Sequence, residues 1–448
     1  MRRFTLVVIG VVLVAAPAAA QQGKVLQEQL GPTGEGHTVM RVWGSHNAMG
    51  YAQGFMLADA ILKMLAETKA LVGTSLWSQG RLLMPLTIWK PAEVEQEIAG
   101  LVAGVKAARP AAVLDEIDVK LVNTYGDWSY ACRSHSTWGS FVQGSTKTLS
   151  TRRLDFGTPF STIKHHLLLA RQPGDGSVRW VNLAWPGSVV AVTAVNEHGT
   201  LASLHDYQSQ AVAGAFMPRS VLARWTLTLV KDLPLDQHLD AVWAELQKTP
   251  VVTGTFFNYY VPEGHGGVIT CAGGAVCSKK RVPQADYFNG EVLITTNSET
   301  DGHSVPEGGE FMDTYYKAGK PKTLADHYGL MGHTGLHLMS VDYRARGDMT
   351  IWAEGRLTLG VTPTIKVEFA QLYEGPTPAT DGAVTRDGAV RSDGAQGTDQ
   401  GGPAADTGSQ PPAKSDGCGC TVGAPPGAPI LLVLVGLVLL VAACSRRR

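Results

Sequence analysis

Neither sign of charge dominates this 448-residue chain: 38 Lys and Arg stand against 39 Asp and Glu, a formal net charge of −1 at pH 7. So even a balance gives no basic field for nucleic acid and no acidic field for cationic partners. Cysteine is sparse, with six residues in all. Cys418, Cys420 and Cys444 fall in the last stretch, which leaves Cys132, Cys271 and Cys277 for the body of the chain. The 13 histidines lack the spacing of a metal site. The body has no His-Glu-x-x-His and no Cys-x-x-Cys. His165 and His166 are adjacent and would point to opposite sides of a strand, which makes them poor joint ligands. A Gly-x-Ser-x-Gly elbow and a phosphate-cradling Gly-rich loop are also missing. The sequence therefore calls for no metal and no cofactor. Between residues 21 and 374 no apolar run is long enough for a multi-span membrane protein. What is present is 44% hydrophobic residues with 10 Trp and 12 Tyr, the composition of a packed body rather than a disordered one.

The two ends read as addresses. Arg2 and Arg3, an apolar stretch over 6–14 and the small residues before Gln21 predict a secretory signal peptide over 1–20. Residues 375–417 are mostly Gly, Ala, Asp, Pro, Thr and Ser, too poor in large apolar groups to fold, and predict a disordered linker. Residues 418–448 bring Cys418-Gly-Cys420, an apolar run over 430–443 and the closing Arg446, Arg447 and Arg448. This tripartite end resembles the MYXO-CTERM sorting tail of myxobacterial surface proteins; a plain single-helix tail anchor is the simpler reading. Both imply a secreted, surface-held protein, with membrane or surface-sorting machinery as partner at the C-terminal tail. Both also place the body in an oxidising compartment. There the Gly-rich spacing of Cys271 and Cys277 suits a hairpin disulfide and leaves Cys132 as the odd thiol.

The body predicts an α+β fold. A strand over 38–43 leads into helix from about Met49, where Gly50 and Gly54 bare one helix face for close backbone contact. Helical periodicity also fits 82–107, with Pro91 opening a helix, and 112–124, so the first third reads as mainly α. Strand patterns follow at 136–149, 178–183, 188–195, 200–205, 251–261, 267–271, 291–296, 336–342 and 350–354, with helices at 219–230 and 235–248 between them. Runs of strands around a helix pair favour mostly antiparallel sheets.

One stretch carries chemistry. Ala131-Cys132-Arg-Ser-His-Ser-Thr-Trp138-Gly139 is followed by Arg152-Arg-Leu-Asp155-Phe. It resembles the choloylglycine-hydrolase and penicillin-acyltransferase branch of the N-terminal-nucleophile hydrolases, specifically the autoproteolytic acyltransferase/hydrolase family. That family has a cysteine, Trp-Gly six and seven positions on, and Arg-x-Leu-Asp-aromatic about twenty later. Residues 44–55, Trp185-Pro-Gly187, Asn196-Glu-His-Gly199, Thr296-Asn297 and 336–352 agree in order with other parts of the family, so the resemblance covers about 38–374. It implies a four-layer αββα sandwich in which Cys132 becomes a chain terminus. Self-cleavage between Ala131 and Cys132 would separate a pro-segment, 21–131, from a nucleophile chain, 132–374, and keep the pro-segment as a second-chain partner.

The chemistry is consistent with that. An N-terminal cysteine carries its own base, because an α-amino group titrates near ~8. By the resemblance Asp155 holds the α-ammonium, Arg152 places positive charge on the thiol, and Asn297 donates to the oxyanion, a role worth ~3–4 kcal/mol. His205, Asp206, Trp138 and Arg133 are candidate substrate-binding residues. Departures from the pattern are Ala131 where Gly is usual, His205-Asp206 where relatives carry Asn, and Arg133 directly after the nucleophile; Lys317 and Lys320 are the candidates for a late arginine. Each also has a plain structural use: Cys132 as a buried thiol, Arg152 and Asp155 as an ion pair, Asn297 as a turn cap. The expectation is an exported cysteine amidohydrolase acting on the C–N bond of a small-molecule amide or peptide. Acyl transfer of the acyl-CoA:6-aminopenicillanic acid type, and a surface-displayed binding domain without turnover, are the alternatives.

Overall fold

The computed structural model describes residues 22–30, 36–124, 131–155, 165–207, 215–286, 288–296, 315–319, 322–331, 337–355 and 364–374, without the side chains of Ala131, Asp155, Thr296 and Thr364. The expected signal peptide, linker and sorting tail, and Asn297 and Lys320, lie outside the described residues. Among those described, no helix is long and apolar enough to cross a membrane.

Alternation along the strands sorts side chains into three apolar layers. Among the described residues the first sheet has nine strands: β1 (Gly23–Leu30), β2 (Gly36–Gly44), β5 (His165–Pro173), β6 (Trp180–Ala184), β7 (Thr193–Asn196), β8 (Leu201–Asp206), β9 (Thr255–Tyr260), β10 (Gly267–Cys271) and β11 (Cys277–Arg281), in that spatial order. The second has six, in the order β12 (Val292–Thr296), β3 (Ala131–Trp138), β4 (Thr148–Asp155), β13 (His337–Ala345), β14 (Asp348–Gly355) and β15 (Thr364–Glu368). Val39, Leu168, Val181 and Phe256 of the first sheet pack against Leu293, Met339, Val341 and Ile351 of the second. The other face of the first sheet, through Met40, Leu167, Trp180 and Phe257, buries against α1 (His46–Met56), α2 (Ala58–Val72), α4 (Ala92–Ala108), α5 (Glu116–Asn123) and α6 (Arg219–Leu229). The other face of the second sheet, through Val292, Ile294 and Leu338, is covered by Tyr316 and by Tyr328 and Met331 of the helix Leu324–Met331. The fold is therefore α+β, a four-layer αββα sandwich. Pairing is antiparallel except between β2 and β5.

Helices α1 and α4 touch backbone to backbone. A Cβ on Gly50 would lie 1.9 Å from the Glu97 carbonyl oxygen, and one on Gly100 would lie 1.9 Å from that of Asn47. Gly54 and Gly104 repeat the contact one turn on. The bare face expected on α1 thus meets a second one on α4.

Several predicted bounds change. Residues 136–149 are not one strand: Gly139, at φ +60°, turns the chain between β3 and β4. The helix expected over 82–107 is broken, α3 (Thr74–Leu83) ending before a short turn and α4 starting after Pro91. Only the end of 188–195 is strand. The mainly α first third also supplies β1 and β2, which form one edge of the larger sheet. A disulfide joins Cys271 and Cys277 across β10 and β11.

Candidate active site

Cys132 is the second residue of β3, on the face that looks into the space between the sheets. Its direct neighbour on β4 is Leu154, while Arg152 stands opposite Ser134, one inward-facing position further along. The fully buried Arg152 side chain turns back along the strand, and its Nη2 donates to Cys132 Sγ at 3.1 Å and to the Leu204 carbonyl at 2.9 Å. Its Nη1 donates to Thr193 Oγ1 at 2.6 Å and to His337 Nε2 at 3.0 Å. One guanidinium therefore ties β4 to β3, β7, β8 and β13 at the nucleophile's end of the stack.

Around this fork the interior is polar. Ser134 shares a 2.5 Å hydrogen bond with His205 Nε2 and approaches Ser203 at 3.3 Å, and Asn258 donates to Ser203 Oγ at 3.3 Å. Burial first, then the Arg152 charge, push both His205 and His337 well below the usual imidazole range, so both stand neutral. A guanidinium donating to sulfur favours the thiolate over the thiol, which is the electrostatic condition for a cysteine nucleophile.

No protein-family model matches the sequence, and no curated protein does either. Among solved structures the chain is similar to a Caenorhabditis elegans N-acylethanolamine-hydrolyzing acid amidase (NAAA) ortholog. The two share 14% identity over 47% of this chain and 92% of that one, with a TM-score of 0.36. The αββα architecture stands on strand order and layer packing, independently of that likeness.

The structure brings together Cys132, Arg152 and His205, as named from the sequence. Asp155 closes β4 and its backbone pairs with Ala131, the residue before the nucleophile. Asp206 leaves the fork and pairs with Arg219 of α6 at 3.1 Å. Arg133, by strand alternation, takes the opposite face of the second sheet from Cys132. Trp138 ends β3, about 20 Å along the strand from Cys132, where its ring lies against Gly264. Those two are not gathered at the thiol. Lys317 is exposed.

Thr193, His337 and Ser134 were not singled out in the sequence. Ser134 had a legible signal, since two residues along a strand returns to the same face. Thr193 and His337 come from strands far away in the chain and had none. Among the described residues no group of three or more His, Cys, Asp or Glu side chains is placed to hold a metal ion.

Proposed function

We propose that the protein is an exported cysteine amidohydrolase of the N-terminal-nucleophile kind. It cuts its own chain between Ala131 and Cys132, then hydrolyses the C–N bond of an N-acylated small molecule or peptide. The observation that carries this reading is the Arg152 guanidinium 3.1 Å from the Cys132 sulfur, at the head of a strand inside an αββα stack.

The first step is addition of the Cys132 sulfur to the Ala131 carbonyl carbon. The C–N bond to Cys132 breaks, the nitrogen takes up the thiol proton, and Ala131 is left as a thioester. Water hydrolyses it to the Ala131 carboxylate and returns the thiol beside a new α-amine. With an α-amino group that titrates near ~8, this amine accepts the thiol proton at neutral pH. The sulfur then adds to the substrate carbonyl, the substrate C–N bond breaks as its amine leaves with that proton, and water hydrolyses the acyl-thioester to the acid and restores the thiol. The backbone pairing of Asp155 with Ala131 supports a role for Asp155 in holding the α-ammonium. The Thr296-Asn297 pair of the sequence resemblance supports Asn297 as the oxyanion donor. The Cys271–Cys277 disulfide supports an oxidising, extracytoplasmic setting for a surface-held protein.

The near-complete burial of Cys132 favours a second reading, a surface-displayed binding domain without turnover. Intact-mass measurement separates the two. The enzyme reading predicts two chains divided between Ala131 and Cys132, and a Cys132→Ala variant that stays whole. A wild-type protein that is uncut, with a thiol inert to alkylation, overturns it. A panel of N-acyl amides presented to the cut protein then identifies the acyl and amine groups.

A further inference from the structure

We propose that Thr193 and His337 are the positioning residues of Arg152, a neutral acceptor pair that fixes the guanidinium on the Cys132 sulfur. The inference rests on the enzyme reading above and names how that site is held.

Arg152 does not face Cys132 across the ladder; the two are offset by one inward-facing position, about 7 Å along the strand. An arginine side chain left to itself gives up rotamer freedom to hold one such bent-back geometry. Here the fork is held from the far side. Thr193 Oγ1 and His337 Nε2 both accept from Nη1, while Nη2 serves Cys132 and the Leu204 carbonyl. Guanidinium nitrogens only donate, so His337 Nε2 must be bare. Thr193 Oγ1 lies 3.1 Å from that same nitrogen and donates to it while accepting from Arg152. The three groups close a ring of hydrogen bonds that works in one protonation state, with the His337 proton on Nδ1.

Neutrality matters in this place. A carboxylate at the same spot would hold the fork but compete with the sulfur for its charge. Two neutral acceptors fix the geometry and leave the positive charge to act on the thiol. A proton on His337 Nε2 would turn an acceptor into a donor and set a second cation against Arg152. Among the described residues, the titratable and charged groups beside His337 are Arg152 from β4 and His166 from β5, whose ring centroid lies 6.3 Å away, with His37 of β2 behind it; Cys132 of β3 takes the other arm of the Arg152 fork. From β14 the facing residue is Gly355, which offers no side chain. Burial, Arg152 and His166 all oppose that proton, so the ring is neutral at neutral pH.

The test follows the alkylation of Cys132 by iodoacetamide in the full chain, by mass, between pH 4 and 8, with the cut fraction read from the same spectra. The wild-type rate stays level through neutral pH and falls in acid as the Cys132 thiolate takes up its proton. His337→Phe, which removes the acceptor, moves that fall up by about one pH unit or more and slows alkylation about tenfold near neutrality. His337→Gln keeps an acceptor oxygen and stays within about threefold of wild type. Thr193→Val slows the reaction less than His337→Phe. If His337→Phe fails to fold by circular dichroism, His337→Gln and Thr193→Val carry the comparison. A His337→Phe profile matching wild type, a His337→Gln variant as slow as His337→Phe, or an unaffected Thr193→Val overturns the inference while a cut wild-type chain leaves the enzyme reading intact. An uncut wild type with an inert thiol overturns both.

Discussion

Glu97 of α4 and Arg171 of β5 meet at 2.8 Å with both side chains fully buried, and Arg224 of α6 reaches the same carboxylate at 2.8 Å. Burial alone pushes the Glu97 carboxyl up, but the two cations outweigh it and hold it below the usual range. Arg171 also lies 4.3 Å from the Trp180 ring centroid and donates to the Ser188 carbonyl at 2.7 Å. The network joins a helix of the proposed pro-segment to a strand and a helix of the proposed nucleophile chain. Glu97→Gln leaves two guanidinium groups in the interior without their counter-charge and should cost about 3–5 kcal/mol, read as a lowered urea midpoint. After cutting, the wild-type chains should elute together at neutral pH, and those of Glu97→Gln should separate at lower urea.

Arg152→Lys keeps the charge and loses the fork. A lysine ammonium is a compact point charge on a flexible stem and cannot serve Cys132, Leu204, Thr193 and His337 in one planar arrangement. Self-cleavage should slow by about a hundredfold, the loss of ~3 kcal/mol of positioning and charge stabilisation, with the uncut chain accumulating in the mass spectrum. Full processing of Arg152→Lys would remove Arg152 from the site.

Gly100→Ala should destabilise by more than an ordinary surface change. Its Cβ would fall 1.9 Å from the Asn47 carbonyl oxygen, a backbone atom that cannot swing aside. Parting α1 from α4 should cost at least about 1–3 kcal/mol, visible in thermal unfolding. Gly73→Ala is the control: nothing lies within 4 Å of its added Cβ, and its left-handed φ of +81° confines the cost to the backbone.

Stability should fall as the solution is acidified from neutrality. His205, His327 and His337 are held well below the ordinary imidazole range and His135 is pushed down to about 3, burial being the first cause in each. Unfolded, each takes a proton near ~6.5. Below that value the unfolded chain binds protons that the folded one refuses, so unfolding becomes easier as pH drops. Each group contributes about 1 kcal/mol of loss between pH 6.5 and 5.5, about 4 kcal/mol for the four. Urea midpoints at pH 7.5 and 5.5 check this, and equal midpoints would rule it out.

Much of this architecture was legible, and the exceptions have local causes. The 267–271 strand and the helix starting at Arg219 were readable because Gly and Pro punctuate them. The β3–β4 hairpin departs from the expected strand because Gly139 and Gly144, both at positive φ, and the short turn over Gly139–Phe141 break the chain within 136–149. Cys132 and Arg152 lie close enough in the chain for a motif to show them. Thr193 and His337 reach the same fork through the stacking of two sheets, which spacing along the chain does not encode. The same holds for Glu97, Arg171 and Arg224. Trp138 is part of the motif yet lies at the other end of the strand, so a motif member need not be a site member.

The parallel pairing of β2 with β5 reaches across the proposed cleavage point. While the chain is whole, that seam closes as an intramolecular event. Once the chain is cut, rebuilding it would be a meeting of two molecules, and its rate would scale with concentration. Denatured and diluted, the processed protein should recover poorly, whereas the uncut Cys132→Ala chain should return at a rate independent of dilution. Cleavage at Cys132 would then act as a ratchet, in which a fold reached by one polypeptide is kept by two that rarely find it again.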